Sequence, residues 1–186
     1  EDSRINQQRQ KHYSKANAAH RNGNYENAFR IWSALAADGD APSQFAIAIY
    51  FHRGHGRRPD IGEALAWYYR SAVGGYARAM FNLGIAYWAG WGVRKDHRLA
   101  VSWWRMGADK GGTSSQYNLG IAYRNLEQRS MATTAYCEAL RLNPDMSAGH
   151  VNLANVYVEM SNYRKAIEHY NLALKLKPGL QRAEAG

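Results

Sequence analysis

An all-helical solenoid of about five helix-turn-helix repeats is the fold class that the sequence predicts, on three observations. The first is a returning motif. Asn82-Leu83-Gly84-Ile85-Ala86-Tyr87 recurs as Asn118-Leu119-Gly120-Ile121-Ala122-Tyr123 after 36 residues, then as Asn152-Leu153-Ala154-Asn155-Val156-Tyr157 after 34 more. A fixed period of a few tens of residues marks stacked supersecondary units. The second observation is a companion motif that keeps step with it, Ala64-Leu65-Ala66-Trp67-Tyr68 returning as Ala100-Val101-Ser102-Trp103-Trp104, so each unit holds two helices. The third is that helix breakers fall in phase with both, at Gly54 and Gly56, Gly90 and Gly92, Gly111 and Gly112, Pro144 and Pro178.

Taken in order, this arithmetic predicts ten helices in five pairs. Helices over 6–22 and 25–38 keep Gly23, Tyr25, Ala28 and Trp32 of the second-helix pattern but few first-helix positions, so residues 1–40 read as a degenerate N-terminal capping repeat. Helices over 41–53 and 60–73 flank Gly54 and Gly56, with Asp60 placed as an N-cap or first-turn acid. The next pair, 77–89 and 96–109, repeats that arrangement with Gly90, Gly92 and Asp96. Helices over 113–125 and 129–142 follow a shorter turn and stop at Pro144; those over 147–160 and 163–177 stop at Pro178, and 179–186 reads as a frayed continuation. The domain division that follows is a cap (1–40), two longer repeats (41–112), two shorter ones (113–178) and the tail, all in one continuous solenoid. Within a unit, Gly84, Gly120 and Ala154 permit close helix approach, while Tyr87, Tyr123 and Tyr157, three residues further on the same face, fill the adjoining gaps.

Composition agrees with a packed fold. The 186 residues are 46% hydrophobic and include six tryptophans and thirteen tyrosines, which excludes a disordered chain. One cysteine, Cys137, forms no intramolecular disulfide, so stability must come from packing. The formal charge of +9 points either to an anionic partner or surface, or simply to a well-solvated exterior. No apolar run reaches the roughly 20 residues needed to cross a bilayer. The start, Glu1-Asp2-Ser3-Arg4, lacks Met and a hydrophobic signal core, which suggests trimming or an export signal already removed. The expected setting is periplasmic or otherwise exported, with the cytoplasm as the alternative.

Two related families meet in this pattern. Residues 41–112 resemble Sel-one-like repeats through Gly54, Gly56, Asp60, Ala64, Trp67, Tyr68, Ala72 and Gly75, and again through Ala79, Leu83, Gly84, Tyr87, Gly90, Gly92, Val93, Asp96, Ala100, Trp103, Ala108 and Gly111. Residues 113–178 resemble two tetratricopeptide repeats: Leu119, Gly120, Tyr123, Ala132, Tyr136, Ala139 and Pro144 match the first, and Leu153, Ala154, Tyr157, Ala166, Tyr170, Ala173 and Pro178 the second. The resemblance implies a right-handed superhelix whose concave face is made by the first helix of each pair. It also implies a non-enzymatic adaptor or scaffold, and in bacteria an envelope, secretion, motility or signalling setting.

On that geometry the candidate partner-binding residues are Phe45, Ile49, Phe81, Asn82, Ile85, Trp88, Tyr117, Asn118, Ile121, Asn152 and Asn155, joined by Val151 and Val158. Such a groove is apolar with an amide ladder, and it suits an amphipathic helix or an extended peptide whose backbone bonds to the Asn side chains. The competing reading is that the aromatics pack between helices or under the chain's own N-terminal helix. Tetratricopeptide repeats also include clamps for a C-terminal carboxylate. Asn118 and Asn152 match these, whereas Tyr117, Ala148 and Val151 stand where cations are required. A second candidate surface is a basic edge made by the turns, with Arg53, Arg57, Arg58, Arg94, Lys95 and Arg98, continued by Arg124, Arg129, Arg164 and Lys165; solvated turns are the plainer reading.

No catalytic residue, cofactor or metal site is expected. His52 and His55 are the one pair of histidines at metal spacing, but no carboxylate or thiol joins them, and they read as surface turn residues. Cys137 sits in a helix without a charged motif to activate it, and phosphate-binding loops, paired catalytic acids and nucleophile elbows are missing. The partner expected is a protein or peptide; no nucleic acid is expected, since no recognised motif accompanies the charge. A structural subunit docked by its basic edge and repeat ends, with peripheral contact to a membrane complex, is the alternative, and a salt-sensitive polyanion binder the third.

Overall fold

The computed structural model describes residues 2–177, and among them it contains ten α-helices and no strand. These are α1 (Asp2–Arg21), α2 (Tyr25–Ala37), α3 (Ala41–Arg53), α4 (Ile61–Val73), α5 (Ala77–Ala89), α6 (His97–Asp109), α7 (Thr113–Asn125), α8 (Arg129–Leu142), α9 (Ser147–Glu159) and α10 (Tyr163–Leu176). Pro178 and the expected tail over 179–186 lie outside the described residues. The helices gather into two compact units that divide after Asp96, between α5 and α6. That division falls inside the second 36-residue repeat, not at the change of repeat type near Gly112.

Local chemistry sets the helix ends. Asp40 caps α3 by accepting from the Ser43 backbone N–H at 2.9 Å, and Asp60 caps α4 by accepting from that of Glu63 at 3.0 Å. Asn24 and Asn162 do the same for α2 and α10. Each such cap contributes about 1 kcal/mol. At the other end, Gly54 and Gly90 close α3 and α5 in the left-handed region, at φ 71° and 75°.

In the first unit each helix packs on its neighbours in the chain, from α1 through α5. Alanines occupy the contacts: Ala16, Ala28, Ala64 and Ala79 are all 0% exposed. Large rings fill the spaces between, with Trp32, Ile47 and Tyr50 at the centre of the N-terminal cluster and Tyr13, Tyr25 and Phe29 packed against it. Full burial of side chains this size contributes roughly 1.5–3 kcal/mol each. The degenerate first pair is tied on by polar contacts too. The Tyr13 hydroxyl of α1 donates to Asp40 at 2.6 Å, and burial, reinforced by that carboxylate, pushes the phenol up to about 12.

The second unit repeats the scheme with α6–α10. Trp103 and Trp104 on α6, Tyr136 on α8, and Leu153 and Val156 on α9 are buried among Ala100, Ala122, Ala132, Ala139 and Ala154. Gly120 shows why a small residue recurs in the first-helix motif. A Cβ built there would lie 2.5 Å from the Tyr136 ring, so α7 and α8 meet at a distance that only glycine allows.

Candidate functional site

The candidate groove residues lie on the first helices of the pairs, and the two units carry separate sets. In the first unit Phe45 and Ile49 stand on α3, and Phe81, Asn82, Ile85 and Trp88 on α5. Phe45 is an interhelical filler, its ring centroid 5.6 Å from that of Tyr68 and 5.2 Å from that of Tyr76. Ile49, Phe81 and Trp88 are half-buried, while Ile85 is exposed. In the second unit Tyr117, Asn118 and Ile121 stand on α7, and Val151, Asn152, Asn155 and Val158 on α9, a helix that touches α7 directly. Tyr117 packs on Tyr136 at 5.8 Å; Asn118, Ile121 and Val151 are half-buried, and Val158 is 41% exposed.

One expectation is narrowed by the contacts. The amides were expected to bond a partner's backbone; three of the four also bond tyrosine hydroxyls, each in a way that leaves the amide further hydrogen-bonding capacity. Asn152 donates from Nδ2 to the Tyr117 hydroxyl at 2.8 Å. Asn155 accepts at Oδ1 from the Tyr170 hydroxyl at 2.5 Å. Asn82 is hydrogen-bonded to the Tyr68 hydroxyl; burial pushes that phenol up to about 12, and the amide bond works against the rise. These pairs satisfy groups that would be costly to leave dry, and they fix the orientation of the rings beneath each face. They also count against a carboxylate clamp, since Tyr117, which takes one N–H of Asn152, stands where such a clamp has a cation.

The basic edge is corrected at one position as well. Arg53, Arg58, Arg94, Lys95 and Arg98 are exposed, as a solvated or docking edge requires. Arg57 is not: its guanidinium lies 3.4 Å from the centroid of the Phe29 ring and 4.9 Å from that of Phe51, a cation–π contact that directs the charge onto the fold. In the second unit Glu159 neutralises Arg124 at 2.6 Å and Arg129 at 3.6 Å, Arg164 pairs with Glu168 at 3.4 Å, and the Lys165 ammonium sits 5.3 Å from the Tyr157 ring.

His52 and His55 are likewise not free turn residues. His52 Nδ1 is 3.0 Å from the Tyr68 hydroxyl, and its ring lies 4.1 Å from Trp91. His55 stacks on Tyr25 at 4.9 Å and meets His20 edge-on at 5.1 Å. In the second unit His169 stacks on His150 and Tyr157, with its Nδ1 3.0 Å from that of His150. Burial holds all three of His52, His55 and His169 below the ordinary imidazole value of 6.5; Arg53 adds to this at His52, His20 and Arg53 at His55, and His150 at His169. A group whose folded-state value is lowered binds fewer protons than the unfolded chain just below 6.5. The stability it supports is therefore present above that value and lost as pH falls through it. The thermal midpoint followed by circular dichroism should drop between about pH 7.5 and 5.5, and His55→Gln should make the drop shallower. A midpoint that is flat or rises over that window would contradict this reading.

Among the described residues no group of three or more His, Cys, Asp or Glu side chains is arranged to hold a metal ion, and no helix is long and apolar enough to cross a membrane.

Comparison with known proteins places the change of repeat type after residue 112. The Sel1 repeat model matches residues 41–76 and 77–112, and tetratricopeptide repeat models match 113–146 and 147–180. No curated protein matches the chain. Among solved structures, the protective antigen c5321 of uropathogenic Escherichia coli, which displays an SLR fold, superposes with a TM-score of 0.71 at 23% identity over 80% of this chain and 33% of its own. A Sel1 repeat protein from Oxalobacter formigenes gives 0.71 at 22% identity over 82% of this chain and 63% of its own. YrrB, described as a tetratricopeptide repeat protein with an unusual peptide-binding site, gives 0.61 at 16% identity over 91% and 87%. The chain thus spans about a third and under two thirds of the first two. At these identities the likeness concerns the fold.

Proposed function

The chain is a repeat protein of two Sel1 repeats followed by two tetratricopeptide repeats, and from that premise we propose that it is a non-enzymatic scaffold that holds a peptide segment of a partner protein on the face shared by α7 and α9. Repeats of both kinds serve typically in protein–protein interaction, and one structural neighbour is itself described as having a peptide-binding site. The observation that carries the reading is the makeup of this face. Ile121 on α7 and Val158 on α9 present apolar surface, Asn118 lies on the same helix as Ile121, and the Tyr117–Asn152 and Tyr170–Asn155 hydrogen bonds order the side chains of α7 and α9. A surface whose side chains are already ordered loses little conformational entropy on binding. In this reading apolar contacts supply the affinity, and the Asn118 amide bonds the peptide backbone.

The test is selection of binders from a random-peptide library against the intact chain, followed by titration of the selected peptides. The double variant Ile121→Glu, Val158→Glu should weaken them at least about tenfold, about 1.4 kcal/mol. Thr134→Glu, an exposed change on α8, should leave them unaffected. Peptides that bind all of these proteins equally would place the site elsewhere.

A further inference from the structure

From α3 onward the pairs carry a ring at one fixed place of the second helix, with a single exception. Three residues after the alanine that opens the second-helix motif stand Trp67 on α4, Trp103 on α6 and His169 on α10. Trp67 packs against the N-terminal cluster, and Trp103 is buried. On α8 the same place holds Ala135. His169 shows what the ring does. It stacks on Tyr157 at 5.7 Å and on His150 at 5.2 Å, and so occupies the space where α8, α9 and α10 meet.

Where α6, α7 and α8 meet, the corresponding space is open. A cleft of about 350 Å³ lies there, lined by Arg105 and Asp109 of α6, Gln116, Leu119 and Tyr123 of α7, and Ala135 of α8 among others. The two places correspond residue by residue: Tyr123 to Tyr157, Gln116 to His150 and Ala135 to His169, each pair 34 residues apart. The hydroxyl bonds match too, since Arg105 Nη2 donates to the Tyr123 hydroxyl at 2.8 Å where Cys137 is hydrogen-bonded to that of Tyr157. The ring is what α8 lacks. Polar groups narrow what can replace it. Gln116 stands at the place of His150, whose Nδ1 lies 3.0 Å from that of His169, so a carboxamide that both donates and accepts waits where a ring nitrogen is met in the next groove. The α6 wall adds one charge of each sign on exposed side chains. Arg105 keeps further N–H donors after bonding Tyr123, and the Asp109 carboxylate stands one helical turn on. Together they are neutral, which suits a ligand that carries both charges.

We propose that this cleft binds a free aromatic amino acid with a ring N–H, of which tryptophan is the type. The indole takes the place that His169 fills in the next groove, and its N–H donates to the Gln116 carbonyl. The α-carboxylate meets Arg105, and the α-ammonium meets Asp109. Ligand sites run from roughly 300 to 1,000 Å³, so this cleft holds one ring with its head group and not a folded segment of chain. It uses none of Asn118, Ile121 and Val158 and is independent of the α7–α9 face.

L-Tryptophan titrated into the intact chain by isothermal calorimetry should bind saturably with one-to-one stoichiometry. Arg105→Gln and, separately, Asp109→Asn should each weaken it at least about tenfold. Both positions are exposed, so circular dichroism and thermal melting of these variants should match the parent. Tryptamine and indole-3-propionate, which each lack one charge of the head group, should bind the parent at least about tenfold more weakly than tryptophan. Ala135→His restores the ring of the following repeat; it should abolish binding without lowering the thermal midpoint, because the cleft is then filled from within. Should that variant fail to fold, the Arg105 and Asp109 variants carry the test. No saturable binding by the parent, equal binding by the parent and both exposed variants, or undiminished binding by a folded Ala135→His overturns the proposal. Equal binding of N-acetyl-tryptophanamide, which has neither charge, overturns it in favour of a tryptophan side chain supplied by a partner protein.

Discussion

Replacing Tyr136 with alanine should lower the stability of the fold by about 3–5 kcal/mol, the cost of deleting a fully buried aromatic ring. Tyr136 is 1% exposed, and its ring is the surface on which α7 rests at Gly120 and against which Tyr117 packs. The residue's burial and its close partners both oppose collapse of the void. Gly120 has no side chain to swing in, and Tyr117 is held by the Asn152 amide. Urea denaturation followed by circular dichroism measures the loss. A shift below about 1 kcal/mol would mean that α7 closes on α8 after all, and that the Gly120 contact is not what spaces them.

Gly92→Ala should cost nearly as much, for two separable reasons. Gly92 has φ +68°, and a left-handed conformation costs a residue with a Cβ about 1–2 kcal/mol. The new Cβ would also lie 2.3 Å from Ile61 Cγ2 and 2.9 Å from Leu65 Cδ1 on α4, and forced overpacking adds about 1–3 kcal/mol. Gly23→Ala separates the two contributions. Its φ is +74°, but nothing lies within 4 Å of the Cβ position, so only the conformational part applies. Equal losses for the two variants in the same denaturation experiment would show that the α4 contact relaxes freely.

The helices were legible in the sequence nearly to the residue. The ranges 41–53, 77–89, 113–125 and 129–142 agree with α3, α5, α7 and α8, because a repeat is read several times over and its breakers return in phase. The candidate site was legible only as a set of positions. That Asn82, Asn152 and Asn155 belong to helix-facing registers follows from the period; that each bonds a tyrosine depends on pairings 14, 35 and 15 residues apart, which the period does not specify. A tyrosine matched to each amide, at Tyr68, Tyr117 and Tyr170, is the signal that was present but unread. Arg57 and His55 went astray for a related reason. They lie in the turn after α3, and Gly56 brings that turn back onto α2, where a Cβ would lie 3.1 Å from that of Tyr25. Tyr25 and Phe29, one helical turn apart, then receive the imidazole and the guanidinium side by side. Turn residues read as solvated because nothing local shows which helix they fold against.

The Tyr117–Asn152 bond has a consequence for how the second unit comes apart. In a stack where each helix pair holds only to the next, the pairs can peel away singly, and stability is a sum of neighbouring terms. A bond from α7 to α9 passes over α8 and adds a stitch between first helices, so α9 and α10 leave the unit only by exposing a hydroxyl and an amide together. The α7–α8 and α9–α10 pairs are thereby drawn toward one cooperative step, and amide hydrogens on α9 near Asn152 take their protection from the joint opening rather than from fraying of the last pair.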